Sequence, residues 1–132
     1  MKFMLDTNIC IYLIKKKPVE VLHHLQKIPI DKICISSITL SELEYGVQKS
    51  SNPTKNKLAL AEFVAPLEVL QYEESAAAKY GEIRAMLEAK GSIIGGMDML
   101  IAAHCLSTNL ILVTNNVREF KRVPHLKIEN WV

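Results

Sequence analysis

Short apolar runs alternate with helical segments along the whole chain, and this alternation limits the possible folds more than any other feature. The apolar runs predict strands at 3–5, 33–35, 67–70, 110–113 and 127–128. Helices are predicted at 9–16, 18–26, 39–49, 52–65, 73–90, 98–106 and 117–120. Strands that are apolar on both faces and are separated by helices form a parallel sheet with helices on both sides. We therefore expect an α/β fold in which a short, mainly parallel central sheet lies between two layers of helices.

The size and charge of the chain are those of one ordinary globular domain. With 132 residues it is expected to form a single domain, 1–132, that buries a core without disulfides or metals. Its three cysteines, at positions 10, 34 and 105, are odd in number and widely spaced, so we expect buried thiols in a reducing cytosol. Asp6 and Asn8 interrupt the apolar N-terminal run, which argues against a signal peptide or membrane span and for a cytoplasmic protein with no membrane partner. The net charge of +2 permits nucleic-acid binding without indicating it.

Acidic residues stand where a parallel sheet binds its ligands. Ligands of such sheets lie beyond the carboxyl ends of the strands. Asp6 directly follows the first predicted strand, and a polar turn at 114–116 follows the fourth. Glu42 and Asp98 stand near the starts of two helices that can point to the same edge, and Glu119 follows the polar turn. Four carboxylates can therefore meet at one edge of the sheet.

Each carboxylate taken alone has a simpler explanation as part of a helix cap. Acidic side chains at helix starts satisfy free N–H groups and interact favourably with the helix dipole. The caps in question are Asp6, Thr7 or Asn8 for the first helix, Thr39 with Glu42 as a capping box, Asp98 for its own helix, and Asn116 with Glu119. Only a convergence of the four side chains indicates chemistry, and the spacing permits that convergence without requiring it.

Four segments of the sequence together resemble one enzyme family. LDTN ends the first strand, SSITLSELEYG and GGMDMLIAAHC follow, and LVTNNVREF lies near the end of the chain. In this order and spacing they resemble the PIN-domain ribonucleases, and above all the VapC-type toxins of type II toxin–antitoxin pairs. The resemblance covers essentially the whole chain. It implies a PIN-like three-layer α/β/α nuclease domain.

The resemblance also implies an active site. The acidic site of the family falls on Asp6, Glu42 and Asp98. Many relatives carry an aspartate shortly after the threonine of the last motif, where this chain has Asn115 and Asn116. Glu119 is then the nearest acidic candidate for the fourth place, and Asn116 remains open as a neutral ligand.

The implied cofactor is Mg²⁺, with Mn²⁺ as a substitute, because carboxylate oxygens suit these hard cations. Asp6 and Asp98 are expected to be its direct or nearly direct ligands. Glu42 and Glu119 are expected to hold metal-bound waters or to orient the attacking water.

The implied reaction is endonucleolytic cleavage of RNA, with tRNA, including initiator tRNA, as the leading substrate. The implied partners are a small VapB-type antitoxin, which would restrain a growth-inhibiting toxin, and a second copy of the chain in a homodimer. Arg118, Lys121 and Arg122 flank the fourth acidic place and are the main candidates for RNA contact, ahead of the lysines at 15–17.

Two other functions stay open at this point. One is a PIN-like RNA-binding module of impaired activity, which the asparagines at 115–116 keep possible. The other is a phospho-receiver-like signalling domain. It is less favoured because Asp6 has no acidic neighbour and because Ile35 leads into serines instead of a phosphoacceptor aspartate.

Overall fold

Five parallel strands form the centre of the molecule. The computed structural model describes residues 2–132, so Met1, the first residue of the predicted domain, lies outside the described residues. The strands are β1 (Phe3–Leu5), β2 (Ile33–Ser36), β3 (Glu68–Leu70), β4 (Ile111–Val113) and β5 (Lys127–Glu129). Their order in the sheet is β3-β2-β1-β4-β5, and every neighbouring pair is parallel. The expected α/β fold is confirmed, with a sheet that is wholly parallel over the described residues.

The strand register brings three polar residues to one edge of the sheet. Leu5 on the central strand is in register with Ile35 on one side and Val113 on the other. The residues that follow this row are Asp6, Ser36 and Thr114, and all three are buried. Buried polar groups need hydrogen-bond partners, so this edge has to be built from side chains that satisfy one another.

Helices follow the strands as the sequence predicts, with ends that differ by a few residues. They are α1 (Thr7–Lys15), α2 (Val19–Gln26), α3 (Ser37–Gln48), α4 (Pro53–Val64), α5 (Glu74–Ala89), α6 (Gly96–Ser107) and α7 (Val117–Phe120). A short 3₁₀ helix (Ile30–Lys32) precedes β2. Gly91 ends the turn after α5 with a φ of 65°, a left-handed conformation that glycine adopts without strain.

The first helix is capped by Asp6, which is one of the three candidates for that position. Its Oδ1 accepts a hydrogen bond from the Ile9 N–H at 2.9 Å, and its backbone is extended, as expected of an N-cap. The alternatives Thr7 and Asn8 are wrong, because α1 begins at Thr7 and both residues lie within it. Only Asp6 lies between the last residue of β1 and the first residue of α1, so Asp6 has to cap the helix.

The predicted caps of α3 and α6 are also wrong. Ser36 caps α3, and its Oγ accepts from the Ile38 N–H at 3.0 Å. Thr39 therefore lies inside the helix and does not open a capping box with Glu42. Helix α6 begins at Gly96, so Asp98 lies in its first turn and is not its cap. In both cases the helix starts earlier than its polar residues suggest, which leaves these carboxylates free for other contacts.

Two hydrophobic clusters cover the two faces of the sheet. Met4, Cys34 and Leu112 point into one cluster, which α5 and α6 complete. Their strand neighbours Leu5, Ile35 and Val113 point into the other, which α1, α3 and α4 complete. This alternation is the pleat of a strand that is buried on both sides, and it confirms the three-layer arrangement.

All three cysteines are buried as free thiols, as expected. Within residues 2–132, every helix is too short or too polar to cross a lipid bilayer.

Trp131, near the end of the chain, packs into the hydrophobic cluster that contains Leu5, Ile35 and Val113. Its side chain is 1% exposed, its ring stacks on His24 of α2 at 5.7 Å, and it lies 5.8 Å from Phe3. Its indole N–H donates to Glu129 Oε1 at 2.8 Å. Trp131 is thus part of the folded core although its neighbours Asn130 and Val132 are exposed.

We expect Trp131→Ala to destabilise the protein by about 3–5 kcal/mol, the usual effect of removing a buried tryptophan side chain. Urea unfolding followed by circular dichroism measures this. Val132→Ala is the matched control, because Val132 is 54% exposed and should change stability little. Equal stability of the two variants would contradict the packing role of Trp131.

Candidate active site

Asp6 is a buried carboxylate at the end of the central strand. It is 4% exposed, and its backbone N–H donates to the Val113 carbonyl at 3.0 Å. Burial raises the pKa of the Asp6 carboxyl above its usual value, and the nearby charge of Glu42 adds to this. The Thr114 hydroxyl and the Ile9 N–H counteract part of the rise. Asp6 therefore carries a charge that the protein solvates only in part.

Glu42 reaches the same edge from the second turn of α3. Its Oε1 accepts a short hydrogen bond, 2.5 Å, from the hydroxyl of Thr7, which follows Asp6 in the chain. This contact joins the first turn of α1 to α3. It also fixes the Glu42 carboxylate close enough to Asp6 for the two charges to repel each other.

Asp98 and Glu119 form a carboxyl pair. Burial, together with the hydrogen bond to Glu119 and the charges of Glu119, Asp6 and Glu42, raises the pKa of Asp98 to about 7. The pKa of Glu119 is lowered, first by the hydrogen bond from Asp98. Asp98 is the more deeply buried partner, so the proton that the pair shares resides on Asp98 and Glu119 accepts the hydrogen bond.

Both candidates for the fourth position lie at the site. The side-chain amide of Asn116 donates to Glu119 Oε2 at 2.7 Å, and Arg122 and Arg118 also lower the pKa of Glu119. Asn116 thus orients Glu119, and Glu119 contacts Asp98. All four acidic residues singled out in the sequence are brought to one edge of the sheet.

Two further contacts at this edge could not be read from the sequence. The Asn115 side-chain amide donates to the Tyr12 hydroxyl at 2.8 Å, which links the loop after β4 to α1. The Arg122 guanidinium donates to the Ile93 carbonyl at 3.0 Å, which links the end of α7 to the loop before α6. Each contact joins residues far apart in the chain, and no local pattern marks such a pair.

The donor set fits a hydrated hard cation. In the described chain, residues 2–132, no three His, Cys, Asp or Glu side chains close around a single point as a ready-made metal cage. Mg²⁺ does not require such a cage, because it keeps several waters and takes only one or two carboxylates directly. The site offers oxygen ligands only, and Asp98 keeps a proton to about pH 7 in response to burial and neighbouring negative charge. A divalent cation can neutralise the same cluster in place of that proton.

The fold and this acidic edge together define a class of protein, the PIN domain. The PIN domain family model matches residues 3–126, so the chain belongs to the PIN-domain family. The curated relatives place it more narrowly among the VapC proteins. It is 48% identical over 132 residues to ribonuclease VapC2 of Haemophilus influenzae, with 100% of this chain and 99% of the relative covered. It is 48% identical over 131 residues to the tRNA(fMet)-specific endonuclease VapC of Salmonella typhimurium, with 99% and 98% covered.

Solved structures agree with this placement. DNA-bound VapBC from Salmonella typhimurium superimposes with a TM-score of 0.94 at 47% identity, covering 100% of this chain and 99% of that one. VapBC2 from Rickettsia felis, bound to a DNA fragment from its promoter, gives a TM-score of 0.92 at 46% identity with 100% of both chains covered. The resemblance noted in the sequence is confirmed at the level of the family and of the fold.

The carboxyl pair predicts how the stability of the metal-free protein depends on pH. Folded Asp98 keeps its proton up to about pH 7, whereas an unfolded aspartate releases it near about pH 4. The folded state therefore holds more protons between these values, and stability should fall as the pH rises from about 4 to about 7 and should level off above that. Asp98→Asn removes this titration. Its melting temperature in EDTA should depend less on pH than that of wild type and should be higher than wild type at about pH 8.

Asp31→Asn is the matched control, because Asp31 is an exposed aspartate remote from the sheet edge and should follow wild type. Thermal melts of the three proteins between about pH 5 and pH 8 decide the matter. If Asp98→Asn has the same pH dependence as the other two, Asp98 does not hold the proton.

Proposed function

We propose that this protein is a divalent-metal-dependent endoribonuclease that uses Mg²⁺, with Mn²⁺ as a substitute. The convergence of Asp6, Glu42, Asp98 and Glu119 at the carboxyl edge of a PIN-domain sheet is the observation that carries the proposal. A protein gains no stability from crowding carboxylates, because the like charges repel and are partly desolvated. Such a cluster in a PIN domain is best explained by a cation and the phosphate chemistry that the cation supports.

The four carboxylates take different roles in this proposal. Asp6 and Asp98 hold the cation, and Glu42 and Glu119 hold its waters or orient the attacking one. When bound, the cation supplies charge neutralisation at the scissile phosphate and a lowered pKa for the attacking water. Glu42 is held in place by Thr7 and Glu119 by Asn116, so both can orient a water without rearranging first. In the metal-free protein Asp98 keeps a proton up to about pH 7, so binding of the cation would displace that proton.

The proposed substrate is tRNA, with initiator tRNA as the leading candidate. The Salmonella relative, 48% identical over nearly its whole length, is named a tRNA(fMet)-specific endonuclease. The positive charges of Arg118 and Arg122 act on Glu119, so they lie where a phosphate backbone would approach the site. Aromatic side chains are only 6% of the chain, which favours recognition of RNA by its shape and backbone over stacking on successive bases.

In the cell, the proposed role is that of a growth-inhibiting toxin in the cytoplasm, neutralised by a small VapB-type antitoxin. The solved VapBC structures support this proposal, because they are similar to this chain over its full length. A homodimer and a single domain spanning 1–132 remain predictions. Contact between Glu119 and Asp98 argues against the impaired RNA-binding module, since the fourth carboxyl is present despite Asn115 and Asn116.

Asp6→Asn and Asp98→Asn should each reduce Mg²⁺-dependent cleavage of initiator tRNA by about a hundredfold or more, because each removes a charge that acts in the transition state. Cleavage is followed on denaturing gels, with fragment ends mapped and with EDTA as the blank. Asp31→Asn should cleave as wild type does. Near-normal cleavage by either site variant would contradict the role of that residue. Absence of cleavage of any tRNA by wild type, with Mg²⁺ or Mn²⁺, would contradict the proposed function.

Metal binding should also stabilise the folded protein in the absence of RNA. Saturating Mn²⁺ should raise the melting temperature of wild type, because the cation binds only the folded arrangement; a hundredfold excess over Kd corresponds to about 2.7 kcal/mol. Asp6→Asn should gain less. Asparagine caps a helix as well as aspartate does, so the difference reports the lost charge and not a lost cap. Identical shifts for both proteins would mean that Asp6 is only a helix cap.

A further inference from the structure

A buried histidine and a buried serine connect the two helices that carry Asp98 and Glu42. His104 lies in α6 and Ser36 lies at the junction of β2 and α3, and both are inaccessible to solvent. The His104 Nδ1 and the Ser36 Oγ are 2.7 Å apart. These residues are 68 positions apart in the chain, so the contact is purely tertiary.

Hydrogen bonds tie this pair to the start of α3. Ser36 Oγ accepts from the Ile38 N–H, so its own hydroxyl proton is free to donate to His104 Nδ1. A contact with the Gln71 backbone also acts on the ring and offsets part of the effect of burial on its pKa. Burial lowers the pKa of His104, in agreement with a neutral ring. The Ile38 N–H, the Ser36 hydroxyl and the His104 ring therefore form a continuous chain of hydrogen bonds from the first turn of α3 to α6.

Side chains around the ring restrict its movement. The Tyr72 ring packs edge-on against His104 at 5.6 Å, and the Tyr72 N–H donates to the Ser37 hydroxyl at 3.1 Å. The first turn of α3 and the residues after β3 therefore enclose the imidazole together. The imidazole therefore packs between α6, the start of α3 and the residues after β3.

We propose that His104 and Ser36 are positioning residues, which set the separation of Asp98 and Glu42 by fixing α6 against the start of α3. Asp98 precedes His104 on α6 by less than two helical turns, and Glu42 follows Ser36 on α3 by less than two turns. The backbone of α3 connects Ser36 to Glu42, and the backbone of α6 connects His104 to Asp98, so the hydrogen bond and the two carboxylates are linked through helical segments. The inference rests on the proposed metal-dependent activity and goes beyond it, because neither residue touches the acidic cluster.

The expected loss of activity and of metal affinity follows from how strongly catalytic sites respond to a misplaced group. A misplacement of about 1 Å costs about a hundredfold in rate, and loss of a group that orients metal ligands costs about tenfold to a hundredfold in metal affinity. His104→Leu removes the bond and keeps the cap of α3, whereas Ser36→Ala removes both. His104→Asn can still accept from the Ser36 hydroxyl through its amide oxygen.

The test measures Mn²⁺ affinity by calorimetry, tRNA cleavage as kcat and KM, and the melting temperature in EDTA. His104→Leu and Ser36→Ala should each weaken Mn²⁺ binding about tenfold and lower kcat with little change in KM. His104→Asn should retain most of both. The double variant Ser36→Ala/His104→Leu should have the same Mn²⁺ affinity and kcat as the more impaired of the two single variants, because both substitutions remove the same contact.

Thr39→Val is the matched control, because it also removes a fully buried hydroxyl from α3. Within residues 2–132 that hydroxyl has no hydrogen-bond partner, so Thr39→Val should leave Mn²⁺ affinity and kcat unchanged and should not lower the melting temperature. If Ser36→Ala and His104→Leu melt at lower temperature yet bind Mn²⁺ like this control, their role is structural only and the proposal is wrong. Should His104→Leu fail to fold, His104→Phe is compared with Thr39→Val instead, because it fills the space of the ring, cannot hydrogen-bond and keeps the cap of α3.

A crystal structure of metal-free His104→Leu, which keeps the cap of α3, separates this proposal from the proposed function. The distance between the Cα atoms of Glu42 and Asp98 should differ from that in wild type by about 1 Å, and should not differ in Thr39→Val. An unchanged distance overturns the positioning role even if the wild-type enzyme cleaves tRNA. A changed distance supports it even if the wild type neither binds Mn²⁺ nor cleaves.

Discussion

Repulsion among carboxylates that are partly removed from water is the constraint around which this protein is built. Burial and neighbouring charges raise the pKa of both Asp6 and Asp98. The fold offsets this cost with N–H groups at the start of α1, with the hydroxyl of Thr114, and with a proton shared between Asp98 and Glu119. The two hydrophobic clusters, one on each side of the sheet, stabilise the fold and offset the repulsion among the carboxylates.

Helix capping and site chemistry are not competing explanations for Asp6. One oxygen of its carboxylate accepts from the Ile9 N–H, which caps α1, and the positive end of the helix dipole stabilises the charge there. The same charge repels Glu42 and raises the pKa of Asp98. Since the cap occupies Oδ1, the carboxylate still has lone pairs for a further ligand. An acidic N-cap at the end of a central parallel strand can thus serve both purposes.

Hydroxyl and amide side chains support the groups at this edge. The Thr7–Glu42 and Ser36–His104 contacts join separate elements, whereas Asn116 and Glu119 are three residues apart at the start of α7. Thr7 holds Glu42, Asn116 holds Glu119, and Ser36 holds His104 behind them. Membership of the PIN-domain family accounts for the acidic edge as a whole, whereas these contacts show how this particular chain supports it. In the proposed nuclease site, catalysis would depend on placement to within about an ångström, and these contacts are the proposed means of placing the acidic residues.

The sequence alone determined the alternation of strands and helices, the parallel sheet and the four acidic positions, because apolar runs and polar turns are local signals. It did not determine the caps of α1, α3 and α6, since each depends on how far the preceding strand or loop extends. It left Glu119 and Asn116 as alternatives, and the structure makes them partners. Only the tertiary structure could bring Ser36 to His104 or Asp98 to Glu119, because those contacts depend on strand order and register, and these are set by the packing of the whole chain.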